Sequence, residues 1–182
     1  MGWRAGWRAG LTRPRFGNLY LSISSIHNRG IQMNAFTLLK QDHEKVAGIL
    51  EKIEETTERA MKGREELFTQ LKQELDLHAT IEEQIFYPAL EETDEARDIT
   101  LEAYEEHRLV KQLLTELANE PKDTEEWTAK FSVLKENVEH HVEEEEGELF
   151  TKARQALSQD EIETLGERLQ EAKQQKSRGA AS

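Results

Sequence analysis

His78-Ala-Thr-Ile-Glu82 in the first half and His141-Val-Glu-Glu-Glu145 in the second are the stretches that decide how this chain folds. A histidine and a glutamate at positions i and i+4 lie one turn apart on a single helix face. Each pair is preceded by another histidine, His43 before His78 and His107 before His141, and the two intervals differ by one position only. The chain therefore carries a duplicated His…His-x-x-x-Glu unit, whose second copy repeats the first almost in register. One imidazole and carboxylate set from each half is what a two-metal site inside a four-helix bundle requires.

Working outward, apolar residues return in alternating steps of three and four, the mark of helices with one buried seam. The first seam is Leu39, His43, Val46, Leu50, Ile53, and the second is Leu67, Leu71, His78, Glu82, Ile85 with Leu75 beside it. The third is Ala103, His107, Val110, Leu114, Leu117, and the fourth is Trp127, Phe131, Leu134, Val138, His141, Glu145. All four histidines and both glutamates thus take places that aliphatic side chains ordinarily fill.

Helix breaks are predicted at Lys62-Gly63-Arg64, around Glu92 to Asp94, and from Asn119 to Asp123, with Pro88 ending or kinking the second helix. Asp123 or Thr124 is the predicted N-cap of the fourth helix, and Asp123 with Glu126 has capping-box spacing. Ser158 with Glu161 repeats that spacing and starts a short fifth helix that packs Ile162, Leu165 and Leu169, leaving Lys176 to Ser182 frayed. Main helices of about 24 to 30 residues joined by short loops give an all-α, up-down-up-down four-helix bundle. The bundle domain spans 33–157, and the C-terminal helix and tail span 158–182.

Composition agrees with this and removes other classes. Charged residues are 34% of the 182 and glycine and proline are few, as long helices with solvated outer faces demand. With no cysteine, disulfides, thiolate metal sites and cysteine nucleophiles are excluded, and a reducing, cytoplasmic location is expected. A net charge of −13 argues against nucleic acid as partner, and no apolar run is long enough to span a bilayer. Residues 1–32 hold five of the 24 basic residues and none of the 37 acids, and include the repeat Gly-Trp-Arg-Ala-Gly-Trp-Arg-Ala. That segment reads as a basic extension or a mis-assigned start, with an organelle transit peptide as the alternative. His27 within it is a bystander.

A lone seam histidine is ordinarily a hydrogen-bonded core residue, and His-x-x-x-Glu is a common surface pair. Six such residues in a preserved repeat are another matter, because a carboxylate in an apolar core costs about 1–3 kcal/mol or more unless it is paired or coordinated. The expected metal ligands are His43, His78, Glu82, His107, His141 and Glu145. His140 is turned about 100 degrees away on its helix. Glu83, Glu143, Glu144, Glu146 and Glu148 read as a solvated acidic face that would also attract cations. Tyr104, three before His107, is a candidate donor near the site.

The stretches Leu-Leu-Lys-Gln-Asp-His43, His78-Ala-Thr-Ile-Glu82-Glu-Gln-Ile-Phe-Tyr-Pro-Ala-Leu, Tyr104-Glu-Glu-His107 and His141-Val-Glu-Glu-Glu145-Glu-Gly-Glu-Leu-Phe together resemble the hemerythrin-like proteins with an HHE cation-binding domain, over about residues 34–156. The resemblance implies a non-haem di-iron centre, two Fe ions per chain with an oxo or hydroxo bridge, with the four histidines as terminal ligands and Glu82 and Glu145 bridging. Mn or Zn would be the second choices. Oxygen-carrying members use five histidines and an aspartate bridge; here Ala103 and Glu145 stand at those places, which puts the chain in a four-His, two-Glu branch. Two octahedral metals offer about twelve positions, and these ligands with one bridge leave about two open, enough for O2, NO or H2O2. The ferritin-like Glu-x-x-His pattern is absent. Three functions follow: a di-iron protein that binds O2, NO or peroxide in sensing, storage or stress response; a peroxide-decomposing, catalase-like enzyme at the same centre; or a metal-free structural bundle.

Overall fold

The computed structural model describes residues 34–57 and 60–179, so the expectations for residues 1–32, His27 among them, lie outside the described residues. Helix α1 (Ala35–Glu54) starts at Asn34, whose side chain accepts from the Thr37 N–H at 3.0 Å. Helix α2 (Met61–Ile81) passes through a π turn (Glu82–Phe86) into α3 (Tyr87–Glu91). Helix α4 (Arg97–Asn119) follows, and α5 (Glu125–Glu144) passes through a second π turn (Glu145–Leu149) into α6 (Phe150–Ala156). The last helix is α7 (Gln159–Gly179).

Two apolar clusters sandwich the ligand residues, and their order along the chain gives the topology. One holds Leu39, Phe86, Tyr87, Ala103, Phe150 and Leu169; the other holds Val46, Leu71, Leu75, Val110, Leu114, Phe131 and Val138. Along α1 the chain goes from the first cluster through His43 to the second, and along α2–α3 it returns through His78 and Glu82. Along α4 it goes out through His107, and along α5–α6 it returns through His141 and Glu145. Alternating directions make an antiparallel four-helix bundle with the six polar residues in one middle layer. Leu39 in the first cluster and Leu71, Leu114 and Leu134 in the second have no exposed surface, each stabilising the fold by about 1.5–3 kcal/mol. Helix α7 closes the bundle beside the first cluster with Ile162, Leu165 and Leu169.

The structure departs from the sequence expectations at several points. The first break falls before Met61, not at Lys62-Gly63-Arg64, because Arg64 is buried and its guanidinium donates to the Thr56 and Lys122 carbonyls, tying two loops at that end of the bundle. The second seam uses Phe68 and Phe86, while Leu67 and Ile85 are only half-buried. Pro88 does not end its helix, which continues to Glu91; the preceding π turn loosens the backbone where proline would meet the carbonyl one turn back. Thr124 is the cap of α5, accepting from the Trp127 N–H at 3.1 Å, and the Asp123 box is not formed. The Ser158–Glu161 box is formed, with Ser158 N–H donating to Glu161 at 2.8 Å. Helices α1 and α4, at 20 and 23 residues, are shorter than expected, and α7, at 21, is as long as α1 and continues past Lys176. Among the described residues, no helix is long and apolar enough to cross a membrane.

Candidate metal centre

All six residues expected from the sequence meet in the middle layer, each no more than 5% exposed. The four imidazoles turn Nε2 inward. His43 Nε2 lies 3.2 Å from His78 Nε2, and His107 Nε2 lies 3.2 Å from His141 Nε2. Glu82 Oε2 stands between the two pairs, 3.2 Å from His78 Nε2 and 3.3 Å from His107 Nε2. Glu145 Oε2 is 3.1 Å from His43 Nε2. The donor atoms form two sets that share Glu82: His43, His78, Glu82 and Glu145 in one, Glu82, His107 and His141 in the other, with atoms within 4.8 Å of one another in each, so Glu145, expected as a second bridge, groups with the first set alone.

The carboxylates show that the layer fits a cation. Both oxygens of Glu82 and both of Glu145 are buried without a hydrogen-bond partner. Leaving such groups unsatisfied costs about 1–3 kcal/mol each, and more when they are charged. Burial, with the Glu145 charge beside it, pushes Glu82 well above the usual carboxylate range. Burial opposes a charge on His43, but Glu145, Glu82 and Glu146 outweigh it and raise its pKa to about 9. Burial lowers His78 to about 4. Imidazole nitrogens with hard carboxylate oxygens suit first-row divalent metals.

Behind the inward nitrogens lies a second ring of carboxylates that sequence reasoning missed. His43 Nδ1 meets Glu146 at 2.9 Å, His107 Nδ1 meets Glu83 at 3.0 Å, and His141 Nδ1 meets Glu106 at 2.7 Å. His78 Nδ1 faces Asp42 at 3.7 Å. Such partners fix the tautomer that leaves Nε2 free for a metal and raise its basicity. Lys40 holds Glu146 at 2.5 Å and Lys111 holds Glu83 at 2.6 Å. The hydrogen bond from His107, then Lys111, draws Glu83 down to about 2. Glu83 and Glu146 are therefore not a merely solvated face. The repeat itself carried the signal: Asp42 and Glu106 immediately precede His43 and His107, and Glu83 and Glu146 immediately follow Glu82 and Glu145, so the outer acids are duplicated in step with the ligands.

Tyr87 was missed as well. Its hydroxyl lies 3.3 Å from His107 Nε2, on the inward side of that ring, and its own ring stacks on His107 at 5.3 Å. The equivalent place in the second copy of the repeat is Phe150, stacked at 6.5 Å on His43. The two halves therefore differ by one phenol. Burial, then the charges of Glu82 and Glu145, raise the Tyr87 pKa, so the hydroxyl keeps its proton. Tyr104 touches the Tyr87 ring edge at 5.0 Å instead of approaching the centre. His140 is exposed, paired with Glu106 at 3.8 Å and Glu144 at 3.5 Å, and outside the layer as expected.

A cavity of about 20 Å³ adjoins His107 and His141, walled by Leu75, Ala79, Val110, Leu114 and Val138, with Lys111 also on its lining. Its wall comes mostly from the second apolar cluster, whereas Tyr87 approaches His107 from the first. A larger open groove of about 660 Å³ runs along α3 and α7, and none of the six layer residues lines it.

A helical bundle with a buried histidine and glutamate layer belongs to a cation-binding class, and comparison with known proteins gives the class its name. The sequence profile of the hemerythrin HHE cation binding domain matches residues 34–153, and the chain belongs to that family. Its structure is similar to the crystal structure of a hemerythrin HHE cation binding domain-containing protein from Mycobacterium kansasii, with a TM-score of 0.70 and 32% identity over 81% of this chain and 89% of that one. It is also 29% identical to uncharacterized proteins of Mycobacterium tuberculosis and Mycobacterium bovis, over 75% of this chain and 83% of theirs. A Nostoc protein described as a DNA nickase is 28% identical over 78% of this chain but 39% of its own length.

Proposed function

We propose that this chain is a non-haem di-iron protein that binds a small oxidant, O2, NO or peroxide, in the cytoplasm. His43, His78 and Glu145 would hold one iron, His107 and His141 the other, and Glu82 would lie between them. Bound iron would supply Lewis acidity and redox capacity at positions the protein leaves open. The observation that carries the reading is the set of four carboxylate oxygens, buried and unpartnered, facing four imidazole Nε2 atoms.

The chain's own residues make the two sides of that layer different. Leu75, Ala79, Val110, Leu114 and Val138 exclude water beside His107 and His141 while leaving room for about one water-sized or diatomic molecule. Glu83, Glu106 and Glu146 lock three imidazole orientations. Tyr87 offers one protonated hydroxyl at His107. An apolar recess favours O2 or NO, which carry no charge and need little hydrogen bonding.

The Tyr87 hydroxyl favours a second reading, peroxide decomposition, because a positioned donor can give a proton to a departing oxygen and contribute about 10²–10⁴-fold. Adding peroxide to iron-loaded protein separates the two. Stoichiometric binding with a spectral change supports the first, and sustained O2 release that falls at least about tenfold in Tyr87→Phe supports the second. Neither response from protein that has taken up iron would contradict both.

A further inference from the structure

Three histidines of the layer are closed onto their outer carboxylates at 2.7–3.0 Å, and one is not. Asp42 Oδ2 and His78 Nδ1 face each other at 3.7 Å, both buried and both without a hydrogen-bond partner. The repeat explains the gap. Glu106 takes the equivalent place in the second half and reaches His141 at 2.7 Å, while Asp42 is one methylene shorter. The other oxygen of Asp42, Oδ1, accepts from Lys173 Nζ on α7. That helix lies beyond the 34–153 stretch matched by the family profile; it packs on α1 and adds Ile162, Leu165 and Leu169 to the first apolar cluster.

We propose that Lys173 is a positioning residue for His78: by holding Asp42 Oδ1 it aims Oδ2 at His78 Nδ1, which makes α7 a latch on one ligand of the centre. The inference rests on the metal-centre reading. A short carboxylate that cannot reach its histidine needs its orientation fixed from elsewhere, and of the two equivalent acids, Asp42 and Glu106, it is the short one that a lysine of α7 holds. Releasing α7 frees Asp42 and loosens His78, while His43, His107 and His141 remain on their own carboxylates.

The experiment uses full-length protein loaded with cobalt(II), whose ligand-field bands report on the imidazoles, and follows metal release to excess chelator. Lys173→Met should release metal about tenfold faster, at the lower edge of what losing an outer-shell partner costs, with shifted bands. Lys173→Arg should stay near the wild-type rate. Asp42→Glu should close the link as Glu106 does, so Asp42→Glu combined with Lys173→Met should release no faster than Asp42→Glu alone. Lys176→Met, on the same helix, should behave as wild type. A wild-type release rate and unshifted bands in Lys173→Met, failure of Asp42→Glu to rescue it, or equal acceleration in Lys176→Met would overturn the latch while leaving the centre standing. Wild-type protein that takes up no cobalt or iron would overturn the centre and the latch with it.

Discussion

Each layer histidine turns Nε2 to the centre and Nδ1 to an acid, and at three of the four that acid is close enough to fix the ring. The division predicts how substitutions will sort. His141→Ala or Glu145→Ala removes an inward donor and should lose or impair the dinuclear centre, while His140→Ala should leave iron content unchanged, measured by elemental analysis of reconstituted protein. Glu106→Gln leaves every inward donor in place and should weaken metal retention by about 10–100-fold in a chelator competition; wild-type retention would mean that the 2.7 Å contact does not orient His141. The six inward residues were legible in the sequence because a buried charge breaks the apolar pattern. The acids behind them were not. Glu146 ends the run Glu143-Glu144-Glu145-Glu146 and Glu83 follows Glu82, and only their exchange of solvent for imidazole and lysine, a tertiary fact, separates them from Glu143 and Glu148. Tyr87 was hidden for the opposite reason, since a tyrosine beside Phe86 reads as ordinary core until its hydroxyl is placed.

The helices carry the layer through two π turns, Glu82–Phe86 and Glu145–Leu149, each beginning at a layer glutamate. Such single-turn bulges recur at functional sites. Each widened turn resets the helix face after the glutamate, so that Phe86 and Tyr87, or Leu149 and Phe150, return to the core. No hydrophobic period announces this, which is why the sequence placed Ile85 on the seam. The seams of α1, α4 and the first part of α5 were read correctly residue by residue, whereas in α2, ahead of the bulge, Leu67 was placed where Phe68 is buried. Caps offer a sharper test at this scale. Thr124→Ala should lower stability by about 1 kcal/mol, whereas Asp123→Ala should change it by less than about 0.5 kcal/mol, both read from urea unfolding; the reverse order would contradict the cap assignment. Leu169→Ala, in a fully buried position of α7, should cost about 2–5 kcal/mol.

The molecule as a whole brings two similar halves together around a layer whose buried carboxylate oxygens have no hydrogen-bond partner, and its pH response should show this. In metal-free protein His43 has a pKa raised to about 9, above its usual 6.5, so its contribution is complete below pH 6.5 and is lost as pH rises toward 9. Glu82, also raised, acts in the same direction. His78, lowered to about 4, contributes above pH 6.5 and loses that contribution as pH falls toward 4. The melting temperature of metal-free protein should therefore fall between pH 6.5 and 9, and metal loading, which replaces those protons, should remove the decline; identical profiles with and without metal would count against the layer as the metal site. The central claim is tested most directly by metal analysis, with an optical spectrum, of protein reconstituted with iron. The expected result is about two irons per chain, as a two-metal site requires, with near-ultraviolet bands of a bridged pair. Protein that retains no iron after reconstitution would contradict it and leave the histidine and glutamate layer a structural feature of the bundle.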